Sequence, residues 1–138
     1  MRFAALDLDW LEWFDAGWGR DHTDHGMMLK NLEGVVANYL AADIEFFVLA
    51  LWIEGQAELD SIRAGIPMPL KVVRLTVPFE TIQERLRADP TTGRIADLDS
   101  AAGWLAEGRG VGMEDFEVSN DRPIRDVAIE VLARLGWA

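Results

Sequence analysis

Two carboxylates close a short apolar run near the start of the chain, Asp7 and Asp9 in "ALDLDW". If residues 2–9 form a strand, alternate side chains leave the same face, and both acids point into the crevice beyond its carboxyl end, where open α/β sheets bind ligands. Acids so placed can take up a proton or join the shell of a cation. The simpler reading is a strand-end acid that caps the following turn. A second cluster is "GRDHTDHG" (19–26), which holds both histidines of the chain, His22 and His25, beside Asp21 and Asp24. Imidazoles and carboxylates this close can bind zinc or another divalent ion. A short segment bounded by glycines does not fix ligand geometry, so no metal site is expected there.

The elements that must position these residues follow from the switch between two-residue and 3.6-residue periods. "RFAALDLD" (2–9), "IEFFVLALW" (44–52) and "LKVVRLTV" (70–77) are apolar runs that read as strands buried on both faces. Between them, residues 27–43 place Met28, Leu32, Val35, Val36, Tyr39 and Leu40 at helical spacing, and 54–65 is a shorter helix closed by Gly65. Pro78 suits the first turn of a helix over 79–89, with Phe79, Ile82 and Leu86 on one side and Arg85 and Arg87 near its end, where cations oppose the helix dipole. A turn, a helix over 95–108, a Gly-rich loop, a short strand "FEVSN" (116–120) and an amphipathic helix over 122–137 complete the order. Alternating strands and helices demand an α/β fold with a mainly parallel sheet and right-handed crossovers, here three layers, α/β/α.

Composition narrows the function classes. A chain of 138 residues, half of them hydrophobic, fits one domain spanning 1–138. Its 13 basic against 24 acidic residues give a net charge of −11, a surface that repels phosphate backbones and disfavours nucleic-acid binding. A local Arg cluster could still hold one small phosphorylated ligand. The absence of Cys excludes a disulfide scaffold and thiolate metal sites and fits the cytoplasm. No run approaches a membrane span or a signal peptide, so a soluble protein with no membrane partner is expected.

The strand ending "DLDW", the strand ending near "LALW", "VVRLTVP" followed by "ETIQERLRAD", an Arg-containing helical insert, and "FEVSND" before a final amphipathic helix together resemble the P-loop small-molecule kinases. Within that superfamily the likeness is to the shikimate kinase, gluconate kinase and chloramphenicol phosphotransferase type, and it spans essentially the whole chain as an order of elements with short motifs. It implies ATP and magnesium as cofactors and a small hydroxylated acceptor. By the same resemblance Asp9 would contact the acceptor and Asp7 the metal shell. Arg85, Arg87, Arg94 and Arg109 would supply the lid's cations to the phosphate, and Arg125 would mark the base-side loop. Trp10, Trp13, Phe14 and Trp18 fall where the acceptor pocket is built, and the alternative for them is core packing of a short helix. For the arginines the alternative is solvated helix charge, with Glu84 and Asp89 in reach of surface pairs.

The departure from that family lies at the phosphate. Its members open with a strand and G-x-x-x-x-G-K-[ST], whose backbone amides, Lys and hydroxyl hold the nucleotide phosphates and magnesium. The chain's two lysines, Lys30 and Lys71, follow no glycine, and "GRGVGM" (108–113) lacks Lys-Ser/Thr. The match therefore begins at the family's second strand. With the usual spatial order 2-3-1-4-5, the missing strand is central, between "IEFFVLA" and "LKVVRLTV". Its loss predicts a sheet that closes up, a second copy in the gap through exposed edges, or a chain that is one piece of a longer product. An inactive kinase-like domain is the first expectation, and a non-catalytic ligand-binding or homodimeric domain is the alternative.

Overall fold

The computed structural model describes residues 1–15, 21–23, 25–89 and 92–137, with the backbone alone for 14–15, 21–23, 92–97 and 99. The chain divides into two units, Met1–Leu70 and Lys71–Ala138.

In the first unit the order is β1 (Phe3–Asp7), α1 (Asp9–Glu12), β2 (Trp13–Asp15), β3 (Asp21–Thr23), α2 (His25–Ala41), β4 (Phe46–Ala50) and α3 (Gln56–Gly65). Strands β1 and β4 pair in parallel, Phe3 opposite Phe46 through Asp7 opposite Ala50, with α2 in the connection between them. Helix α2 buries Met28, Leu32 and Val36, a stripe at intervals of four that keeps to one face. These side chains form a core with Leu8, Ile62 and Ile66, against which Leu6, Phe47 and Leu49 pack. Full burial of side chains of this size contributes about 1.5–3 kcal/mol each. After α2 the chain turns through Asp43 at φ 62°, a left-handed conformation that Asp tolerates better than most residues.

Strand β1 turns Ala4 and Leu6 inward and leaves Phe3, Ala5 and Asp7 exposed, while β4 leaves Val48 and Ala50 exposed. This is the alternation of a sheet covered on one face, not the two-faced burial expected from the sequence. A dense apolar run states that a strand is apolar, not how many layers cover it.

The second unit runs β5 (Val73–Thr76), α4 (Phe79–Ala88), α5 (Thr92–Glu107), β6 (Phe116–Ser119) and α6 (Ile124–Leu135). Strands β5 and β6 are parallel, Val73 opposite Phe116 through Thr76 opposite Ser119. Asp115 fastens one end of the pair: its carboxylate accepts from the Val72 N–H and from Lys71 Nζ, each at 2.8 Å, and its own N–H donates to the Val72 carbonyl at 2.8 Å. At the other end the Asn120 N–H donates to the Thr76 carbonyl at 2.7 Å. Val118 and Val127 are buried.

The protein is thus of mixed α/β class, with the expected parallel pairings but no continuous sheet among the described residues. Its ladders are β1 with β4, β2 with β3 (antiparallel), and β5 with β6. Among the described residues no helix is long and apolar enough to cross a membrane.

Candidate functional site

The carboxyl ends of β1 and β4 gather the first set of polar residues. Strand β1 stops at Asp7, because Leu8 takes helical angles (φ −74°, ψ −20°) and Asp9 opens α1. Buried Leu8 donates its N–H to the Ala50 carbonyl at 2.9 Å, which pins the turn to the end of β4. The Asp7 carboxylate accepts the Asp9 N–H at 3.2 Å. Asp7 therefore caps the turn, and the two acids do not share a strand face, contrary to the two-residue spacing. The backbone changes period between them, and that change is invisible in "DLD".

Helix α1 is one turn long. Leu11 faces the core, its carbonyl accepting from Asn31 Nδ2 of α2 at 2.8 Å, and this orientation turns the neighbouring indoles outward. Trp10 is 74% and Trp13 50% exposed, and their rings meet edge to face, 6.5 Å between centroids at 78°. Neither indole is core. Phe14 lies on β2 opposite His22 of β3 by backbone register. Trp18 and Asp24 lie outside the described residues, and nothing of the side chains of Phe14, Asp21 or His22 is described.

Glu12, at the end of α1, was not singled out by motif. Its carboxyl is held above its ordinary pKa, first by burial, then by the negative charge of Asp9 and, more weakly, Glu58, with His25 opposing. His25 starts α2, and its Nδ1 stands 3.5 Å from Glu58 Oε1. Glu58 in turn accepts the Glu54 N–H at 2.7 Å, closing the start of α3. The Nε2 atom of His25 has no hydrogen-bond partner. Among the described residues no group of three or more His, Cys, Asp or Glu could hold a metal ion.

The arginines belong to the second unit and do not act alike. Arg85 and Arg87 occupy the last turn of α4, and Arg85 donates to the Asn120 carbonyl at 2.7 Å, at the carboxyl end of β6. Arg109 pairs with Glu107, Nε to Oε2 at 2.5 Å, beyond the end of α5. The backbone of Arg94 lies in α5, and its side chain is not described. Arg125 is exposed in the first turn of α6. Sequence reasoning missed the arginines most firmly tied: Arg74 bonds Glu117 and stands 3.5 Å from Glu114, Arg122 bonds Glu130, and Arg134 lies over the Phe116 ring at 5.4 Å. The partners Glu117 and Phe116 are distant in sequence from Arg74 and Arg134, and no local pattern announces those contacts.

The two units are both net negative and differ in how much of the charge they carry. Residues 1–70 hold twelve acids against four Lys and Arg, and 71–138 hold twelve against nine. No protein-family model matches the chain, and no curated protein or solved structure matches it.

Proposed function

We propose that the protein is a kinase-like α/β domain related to ATP-dependent phosphotransferases that act on a small hydroxylated acceptor, inactive as this chain because it has no phosphate loop. One observation carries the reading. Parallel pairing joins the first and second long strands (β1, β4) and the third and fourth (β5, β6). These are the two pairs of neighbours that flank the central strand of a 2-3-1-4-5 sheet. Asp7, Asp9, Trp10 and Trp13 then stand on the acceptor side, at the carboxyl end of β1. Arg85 stands at the carboxyl end of β6, with Arg87, Arg94 and Arg109 as further phosphate-side cations and Arg125 on the base side.

ATP and magnesium are the cofactors this kinship implies. Without backbone amides and a Lys on the phosphates, the main electrostatic stabilisation of phosphoryl transfer is missing. The purified chain with ATP and magnesium is expected to show no turnover, and measurable turnover would end the claim of inactivity. The kinship itself is tested by backbone nuclear Overhauser contacts: absence of the β1–β4 or β5–β6 contacts, or contacts running from β1 to β5 or β6, would defeat it.

A second reading, a homodimeric interaction domain, is favoured by the edges. Among the described residues each parallel sheet has two strands, few for independent stability, and Val48 and Leu75 are about half exposed. Sedimentation at micromolar concentration separates the readings, since a strictly monomeric chain is incompatible with edge pairing between copies.

A further inference from the structure

We propose that the open corner between Trp10 and Trp13 seats an ammonium cation, and that the ligand of this end of the protein is a hydroxylated amine rather than a neutral or anionic alcohol. The hydroxyl rests on the functional reading above. The positive charge comes from the structure.

The two indoles meet edge to face at 78° with centroids 6.5 Å apart, and both are at least half exposed. An indole face attracts a cation through its quadrupole, and paired aromatic walls are the usual seat of ammonium groups. Core packing does not account for rings that lie outside the core, and an apolar partner alone would leave the surrounding charge unmatched. That charge is of one sign. From Asp7 to Asp15 the chain carries Asp7, Asp9, Glu12 and Asp15 with no Lys or Arg. Asp9 adds its field to that of Glu12, and Glu58 adds a weaker one from α3, while His25 opposes them. The Glu12 carboxyl is held above its ordinary pKa first by burial and then by the negative charge of Asp9. An anionic acceptor would be repelled, a neutral one would gain nothing, and a cation would meet both the aromatic faces and the carboxylates.

Choline and its carbon isostere 3,3-dimethylbutan-1-ol share shape and hydroxyl and differ in charge, so they isolate the claim. Indole N–H resonances of the full chain are titrated with each, with the signals of Trp10 and Trp13 assigned by their loss in Trp10→Ala and Trp13→Ala. The expected result is saturable movement of those two resonances by choline, with affinity at least about tenfold above that for the isostere. Trp10→Ala should abolish the response of Trp13, and Glu12→Gln should weaken choline about threefold. Equal binding of the isostere would make the corner an apolar docking patch and overturn the proposal. So would shifts spread over all six indoles, an unchanged affinity in Trp10→Ala, or no saturation. Trp10 is the more exposed ring, so its variant remains decisive if Trp13→Ala fails to fold, with far-ultraviolet dichroism as the check. The titration needs no nucleotide: absence of the β1–β4 or β5–β6 contacts would remove the kinase kinship while leaving this result standing, and failure here would leave the kinship intact.

Discussion

Glu12 and Glu130 respond to folding with opposite signs, and that gives the residue scale its sharpest test. The folded pKa of Glu12 is raised above the ordinary 4.5, chiefly by burial and then by Asp9. Its contribution to stability is full below the unfolded pKa and is lost as pH rises through the folded value. Glu12→Gln is therefore expected to stabilise the protein at pH near 7 by well under about 1 kcal/mol after solvent screening, with the gain vanishing in acid. Glu130 is displaced downward, first by the hydrogen bond from Arg122. Its contribution is present above the unfolded pKa and disappears as pH falls through the folded value. Glu130→Gln should lower stability at neutral pH and lose that effect on acidification. Urea denaturation of both variants at neutral and acid pH reads the two signs side by side, and parallel behaviour would contradict the assignment. Asp7 and Asp9 stood out in the sequence, whereas Glu12 and Glu130 did not. Glu12 and Glu58 come together through α1, α2 and α3, and spacing along the chain does not encode that meeting.

Elements were legible where one period ran long enough. The helix expected over 27–43 is α2, His25–Ala41, and of its six apolar positions Met28, Leu32 and Val36 are buried while Tyr39 and Leu40 fall at the exposed edge. Leu32 has no exposed surface and sits in the middle of that face, so Leu32→Ala should cost about 2–5 kcal/mol, read as a lowered urea midpoint. Helix α6 ends as a left-handed cap, Gly136 at φ 71°, whose N–H bonds Ala133 and Leu132 carbonyls. A Cβ there meets no other atom, so the cost of Gly136→Ala is conformational, about 1 kcal/mol, and a neutral result would refute the left-handed cap. What the sequence did not disclose is short. Helix α1 has four residues and the strands of the β2–β3 hairpin three each, too few for any period to show. Trp10 and Trp13 sit on those pieces, which is why a core role and a pocket role competed for them.

At the scale of the whole molecule the order of elements was readable because α/β alternation constrains it, whereas continuity of the sheet depends on pairing partners that no single segment names. Charge adds a property that neither element nor motif carries. Most of the net −11 lies in 1–70, where twelve acids face four basic residues, while in 71–138 Lys71, Arg74, Arg122 and Arg134 are already bonded to acids. Repulsion within the first unit opposes its compact state, and salt that shortens the screening length to a few ångströms relieves it. In the second unit the same salt weakens attractions as much as repulsions. Raising ionic strength should therefore slow amide hydrogen exchange at Leu32 and Val36 by roughly threefold or more, and leave Val118 and Val127 unchanged or slightly faster. Equal slowing in both would mean that the two units open as one, and the charge imbalance would then act on the protein as a whole rather than on the half that carries the tryptophan corner.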